Sequence, residues 1–541
     1  MTFTNKKQLL ATTAAVAVVT VALAGCSAGG GDAASSDDTI LIGTTDRVTS
    51  IDPVGSYDQG SFDVKNQIYS FLMSSPYGTG EVQPDIATSA EFTSPSEYTV
   101  KLKPGLTFAN GHELTSSDVK FSFDRQLHIN YVNGPVSLLY NLDSVSAPDD
   151  ATVVFTLKSE NDQTWPQVLS SIVSAIVDEE VFSPDEVTPD VDIVEANAFS
   201  EQYAITSYDF NNLISYTANS AYQGIMPEAR TETINVKYYA EASNLKLDIQ
   251  EGNVDVAWRS LSATDIADLA ANDNLKVVDG PGGEIRYIVF NFDTMPYGAK
   301  TAEADPAKAL AVRQAAADLI DRAEIGKQVY RDTYTPLFSY VPAGLLGASE
   351  PLQELYGDGS GGPDAEKAAA RLKDAGVAVP VKLSLQYNSD HYGPSSGDEY
   401  AIIKDQLEAT GLFAVDLQAT EWVQYTKDRS ADVYPAYQLG GFPDYSDADN
   451  YLSAFFLEGN FLQNHYDDAT VNGMIRQQVV TVDKTERMEL LQNIQSEVAK
   501  DLPTLPYLQG AQVAVTGANI TGTSDTLDAA FKFRYAALAK E

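Results

Sequence analysis

One cysteine stands in 541 residues, four histidines are scattered, and no long apolar run recurs after residue 26. With a single cysteine no disulfide can close within the chain, so stability must come from burial. His112, His128, His391 and His465 show no paired His/Cys spacing, so no cofactor and no metal are expected. Bases are also scarce: 35 Lys and Arg face 76 Asp and Glu, a formal charge of −41. That deficit argues against nucleic acid as a partner, which needs basic patches, and against a grip on anionic lipid. The acids are spread along the whole chain, so a solvated surface accounts for them as well as attraction of a cationic ligand does. The chain has no Gly-x-Ser-x-Gly elbow, no His-Glu-x-x-His helix and no phosphate loop. Carboxylate pairs for glycoside chemistry arise by chance among so many acids, so an enzyme reading rests on no motif and a non-enzyme is expected.

What is present begins at the N-terminus. Lys6 and Lys7 precede a stretch from Leu9 to Ala24 that is apolar or small, with Thr as its only polar type. It suits a signal-peptide core and is short for a membrane span. It ends Leu23-Ala24-Gly25-Cys26, which resembles a bacterial lipoprotein box. The expectation is a signal peptide over 1–25 and lipid attachment at Cys26. A plain signal peptide with a chance cysteine is the competing reading. The Ser/Gly/Ala/Asp-rich stretch over 26–38 cannot bury enough apolar surface to order itself and reads as a tether. These features place the chain on the extracellular face of the cytoplasmic membrane, or in a periplasmic space where an outer membrane exists.

About 500 residues follow Cys26, which is more than one core usually covers, so two or three domains are expected. Strands and helices alternate throughout, which points to an α/β architecture. Tyr98 to Leu102 alternates with period two, a half-buried strand. Lys103-Pro104-Gly105 and Asn110-Gly111 turn the chain. Thr115 precedes Asp118 by three, a capping-box start for a helix from Ser116 to Leu127. Phe62 to Met73 has apolar residues at helical spacing. Thr233 to Tyr239, Ala242 to Gln250 and Val254 to Trp258 form a strand–helix–strand unit typical of a parallel sheet. Asp305-Pro306 opens another helix, and Phe531 to Tyr535 reads as a late strand.

The segment from Tyr98 to Arg125, with Ser50-Ile51-Asp52-Pro53 before it, resembles the signature of family 5 solute-binding proteins of ABC importers, the oligopeptide, dipeptide and nickel type. Leu310 to Arg322, Asp364 to Gly376, Phe442 to Tyr451 and Asp501 to Pro506 resemble further blocks of that family in the same order. The likeness covers nearly everything after Asp38. It implies a periplasmic-binding-protein type II clamshell with two lobes plus an extra domain. Lobe I would take 39–68, 201–299 and 511–541; the extra domain 69–200; lobe II 300–510. It also implies that a ligand is captured between the lobes and handed to a membrane permease with ATPase subunits, by a monomer.

For the ligand site, the resemblance implies that Asp444 takes a peptide amine, with Tyr445 and Phe442 flanking it. Trp422 and Tyr425 resemble a segment that borders the pocket. Tyr57 and Asp58 lie in a loop that approaches the ligand in relatives, and Arg286 and Asn291 lie near the hinge, with Arg286 a carboxylate candidate. Trp258 ends a strand, where open α/β sheets place ligands. Each has a competing reading as core packing or surface loop. The resemblance implies an oligo- or dipeptide as the ligand; departures at Gln438, Gly441 and Phe199 to Tyr203 leave haem, an oligosaccharide or a nickel complex as alternatives, and a surface-sensor role stands beside transport.

Overall fold

The structure, a computed structural model, describes residues 39–541 apart from 132, 390, 393–394 and 528–531, and the backbone alone at 423. The signal peptide, Cys26 and tether lie outside the described residues. Among the described residues no helix is long and apolar enough to cross a membrane.

Three sheets organise the chain. The first has seven strands. Thr39–Thr44 lies at its centre, parallel to Thr233–Tyr238 on one side and Val256–Trp258 on the other. The helix Ala242–Glu251 connects those two neighbours, and Gly252 ends it at φ 75°, a left-handed conformation that favours glycine. The parallel unit expected from periodicity is therefore present. The late strand Gln512–Gly517 and the mid-chain strand Leu275–Gly280 complete one edge as an antiparallel pair.

The second sheet has six strands and centres on Ile285–Phe290. All six residues of that strand are buried, so it needs a neighbour on both edges and cover on both faces. It pairs with Ala436–Gly441 and with Thr504–Gly510. This corrects the expected boundary at 299: residues 285–290 belong to the second lobe, because a strand apolar on both faces can only be central.

A four-stranded antiparallel sheet, built from Ala87–Ser94, Glu97–Leu102, Leu142–Asp149 and Thr152–Leu157, forms the third layer. Glu97–Leu102 alternates buried and exposed as its sequence does. The helix Ser116–Ile129 starts on the Thr115/Asp118 capping box and packs Val119 and Phe123 into this layer's core. The expected end of this domain at 200 also shifts. Val177, Phe182, Ile193 and Phe199 pack with the first sheet's core, and Ile176 is the last residue of this stretch in the third core.

Two smaller expectations change. The helix expected over Phe62 to Met73 runs Gln59–Ile68, since Asp58 caps it earlier. The expected strand near residue 533 is absent among the described residues there; Tyr535–Ala537 is a single helical turn.

Two motif residues explain how the layers are locked. Arg125, at the end of the signature, makes a two-pronged pair with Asp52 of the Ser50–Pro53 turn, at 2.7 and 2.6 Å, with both side chains almost wholly buried. The turn and the helix are thus parts of one joint between the first and third layers.

Candidate functional site

The chain passes between the two large sheets twice, at 281–284 and at residue 511. The crossings run side by side. Gly510 donates its N–H to the Glu284 carbonyl at 2.9 Å, and Gln509 Nε2 donates to the Gly282 carbonyl at 2.6 Å. A Cβ on Gly282 would lie 1.8 Å from the Gly510 carbonyl oxygen, so only glycine allows this approach.

Beside the crossings lies a cavity of about 300 Å³. The first lobe contributes Arg259 and Ser260 to its walls; the second contributes Glu284, Arg286, Tyr392 and Phe442. Arg286 is 3 % exposed. Its Nη2 donates to the Tyr392 carbonyl at 2.9 Å, and its Nε faces Glu284 Oε1 at 2.7 Å. Burial opposes the Arg286 charge, but the adjacent Glu284 carboxylate more than restores it, so the group stays a cation.

Asp444 sits two residues past Phe442 and is half-buried. Asn450 grips it twice: the Asp444 N–H donates to Asn450 Oδ1 at 3.0 Å, and Asn450 Nδ2 donates to Asp444 Oδ2 at 3.1 Å. The Tyr57 hydroxyl, from the first lobe, donates to Asp444 Oδ1 across the cleft. No Lys, Arg or His pairs with Asp444 among the described residues. Burial pushes its carboxyl above the usual carboxylate range, with the Tyr57 and Asn450 hydrogen bonds pulling the other way. The loop is held from below by Arg487, which clamps Asp447 at 2.7 and 2.8 Å.

The structure therefore brings Tyr57, Phe442, Asp444 and Arg286 to the cleft. Trp422 backs the cavity at one remove, its ring stacked 3.8 Å from that of His391, which lines it. The remaining candidates are corrected. Asp58 caps a helix, accepting from the Ser61 N–H at 2.9 Å. Tyr445 packs in the core of the four-stranded layer, because successive loop side chains point opposite ways and its neighbour Asp444 takes the cleft side. Tyr425 is fully buried and donates to the Gln438 carbonyl at 2.7 Å. Asn291 is fully buried, holding the turn after its strand through the Asp293 and Thr294 N–H groups.

Trp258 stacks on Phe533 at 4.2 Å and donates to Asp63 at 3.2 Å, inside the first lobe. Its strand end does reach the cleft, but through the next residue. Arg259 adopts φ 59° and turns to the cavity wall. Strand-end logic located the place and missed the face. Glu284 and Tyr392 carried no motif; Glu284 stands two residues before Arg286, the spacing that shares a strand face, whereas Tyr392 is identified only by its adjacency to Arg286 in space.

Elsewhere, Asp293, Asp432 and His465 converge closely enough to hold a cation. The Lys300 ammonium already lies 2.7 Å from Asp293, so this group is an ion-pair cluster on the second lobe, away from the cleft lining.

The profile described as "Bacterial extracellular solute-binding proteins, family 5 Middle" matches residues 81–463. The chain is 24 % identical over 428 residues to the dipeptide-binding protein of Escherichia coli (strain K12), covering 74 % of each. It is 24 % identical over 503 residues to the oligopeptide-binding protein AppA of Bacillus subtilis (strain 168), covering 86 % of this chain and 84 % of that one. Among solved structures it resembles the periplasmic binding protein DppA from Helicobacter pylori in complex with the peptide STSA. That likeness has a TM-score of 0.69 and 20 % identity, and covers 93 % of this chain and 98 % of that one. The fold is thus the type II periplasmic-binding clamshell, an α/β architecture of two lobes with an added layer. By its sheets, its two crossings and the extent of the profile match, the chain belongs to the bacterial extracellular solute-binding proteins of family 5.

Proposed function

We propose that this chain is the lipid-anchored, substrate-binding component of an ABC importer, that it captures short peptides in the interlobe cleft, and that Asp444 anchors the peptide amine. The observation that carries this reading is the Asp444 carboxylate. It is preoriented by Asn450, pushed up by burial, and met from the opposite lobe by a neutral phenol rather than a cation. A ligand ammonium that displaces the Tyr57 hydroxyl would relieve that carboxylate and sit between both lobes. Two relatives are named for dipeptide and oligopeptide binding, and one solved relative holds a peptide. Nothing covalent is required of any residue in the cleft, and the chain acts without chemistry on its ligand. Capture is followed by hand-over to a permease and its ATPase, with Cys26 holding the protein at the membrane.

Native mass spectrometry of the full chain, purified without denaturation from membranes in mild detergent, tests this. A ladder of added masses matching short peptides supports the reading. One discrete non-peptide mass overturns it. The same spectrum reads the anchor: loss of residues 1–25 with an added diacylglyceryl mass on Cys26 is expected, and an unmodified cysteine rules the anchor out.

A further inference from the structure

Where the added layer meets the second lobe, the buried charges do not balance. The loop after Asp444 enters the helix Asp449–Phe456, which packs beside the helices Ala469–Val480 and Lys484–Asp501. Gln163 of the added layer donates its N–H to the Val479 carbonyl at 2.7 Å. Tyr445 reaches from the loop into the core of that layer. Asp162 stands next to Gln163 on one side of this contact. On the other side Gln478, beside Val479, donates to the Asp449 carboxyl.

Three carboxylates are buried here: Asp162, Asp447 and Asp449 are 1, 6 and 3 % exposed. One cation is buried with them. Arg487 gives Nη1 and Nη2 to Asp447, and Nε to the Gln478 carbonyl at 3.2 Å. The Asp449 carboxyl receives the Ser453 hydroxyl and Gln478 Nε2, both neutral, while its own N–H binds Asp447 Oδ1 at 2.8 Å. Asp162 accepts from Asn141 Nδ2 at 2.6 Å, and from the Thr164 N–H and hydroxyl at 2.9 and 2.6 Å. The other titratable groups here, the phenols of Tyr140 and Tyr445, bring no positive charge. At the rim, Lys484 pairs with Glu81 in solvent, at 3.1 Å. Ionising all three acids would bury three negative charges against one positive, and an unpaired buried carboxylate takes a proton instead. Asp449 is the acid pushed up, to about 7. Burial is the largest cause, then Asp447, with Asp162 adding across the interface against the Ser453 hydrogen bond and Arg487.

The two sides of this interface belong to parts that separate when a clamshell opens. The added layer is fastened to the first lobe by the Arg125–Asp52 joint. The second lobe hangs from the crossings at 281–284 and 511. We infer that this interface is a proton-operated clasp: closing the clamshell covers Asp449 with the added layer and its Asp162, one proton passes from solvent to the Asp449 carboxylate, and closure is favoured in acid and released as pH rises. In the open form Asp449 faces water and gives the proton back. The contribution to closure is complete below the ordinary carboxylate value of 3.8 and is lost as pH rises through about 7. The clasp acts on the loop that carries Asp444, so a ligand that requires the closed form loses its hold over the same upper range. The inference needs the two-lobe fold and not the nature of the ligand.

The test is hydrogen–deuterium exchange, read by mass spectrometry, on the ligand-free full chain in mild detergent at pH 6 and pH 8. Rates are corrected for the pH dependence of exchange itself. The Gln163 amide reports the clasp, because it bonds to a carbonyl of the second lobe. The paired Val100 and Val153, central to the added layer, report whether that layer stays folded. For one group titrating near 7, protection at Gln163 is expected to fall about tenfold from pH 6 to pH 8, with Val100 and Val153 unchanged. In Asp449→Asn the fall is abolished, and in Asp162→Asn it is reduced. Equal protection of Gln163 at the two pH values in the wild type overturns the inference. A fall that persists in Asp449→Asn also overturns it, by assigning the proton elsewhere. A fall shared by Val100 and Val153 overturns it as well, since the layer itself would then be unfolding. The wild-type arm can overturn the clasp without either variant, should one fail to fold.

Discussion

At the residue scale, the proposed amine anchor, Asp444, is a carboxylate whose partners in the structure are neutral. Its carboxyl is pushed up by burial, so ionised Asp444 weakens the folded state at any pH above the ordinary carboxylate range. Asp444→Asn removes that burden together with the anchor for an ammonium. The expected result is an unfolding temperature equal to or above wild type, with peptide affinity reduced by about 3–5 kcal/mol because a buried ammonium is left unpaired. Calorimetry and thermal unfolding on one preparation check both halves. Unchanged affinity would remove Asp444 from the site. In the wild type, affinity should also fall as pH drops through the raised carboxyl value, since protonated Asp444 cannot pair with an ammonium. The motif singled out Asp444, and the structure places its side chain against Tyr57 of the first lobe. Tyr445 carried the same signal and proved to be core, because a motif records that a loop matters and not which side each residue faces.

At the element scale, two of the family blocks meet in a buried joint. The Arg125–Asp52 pair ties a turn in the first lobe to a helix of the added layer, and both charges are sealed from water. Asp52→Ala leaves Arg125 buried without its counter-charge, and is expected to cost about 3–5 kcal/mol of stability by denaturant unfolding. A loss under 1 kcal/mol, the range of an exposed pair, would mean the joint is open to water. The crossings make a second prediction. With the Gly510 carbonyl 1.8 Å from where a Cβ would stand, Gly282→Ala must push the two crossings apart. Peptide affinity and unfolding temperature are both expected to fall, because the cavity walls hang from these segments. A fully active Gly282→Ala would show that the crossings have slack. Three helix starts were legible ahead of structure, since Thr115, Asp305 and Asp364 each cap the helix their sequence pattern marks, while the start at Asp58 was missed by three residues. Capping is local physics, settled within about four residues. The strand Ile285–Phe290 was assigned to the wrong lobe because its partners lie some 150 and 220 residues further on, and pairing at that distance leaves no local trace.

At the scale of the whole molecule, buried acids set the response to pH. Asp63 and Asp449 are each pushed up to about 7, by burial first and then by a neighbouring aspartate, and Asp85 to about 6 by burial. Each binds its proton more tightly folded than unfolded. Their stabilising effect is complete below the ordinary carboxylate value of 3.8 and erodes as pH rises to about 7, above which it is gone. The large negative charge grows over the same range. Scanning calorimetry is therefore expected to give a higher unfolding temperature at pH 5 than at pH 8; the reverse order would mean that these acids ionise freely in the folded state. The sequence by itself determined the family, the α/β class, the helix starts that carry a Thr115, Asp305 or Asp364 cap and the charge, because these depend on composition, on short periodicities and on an ordered set of motifs. Only the tertiary structure decided which lobe owns each strand, that Trp258, Tyr425, Tyr445 and Asn291 turn inward, and that Arg259 meets Arg286 across a cavity. Those facts depend on which side chains face each other over long stretches of chain, and facing is fixed by packing, not by order along the sequence.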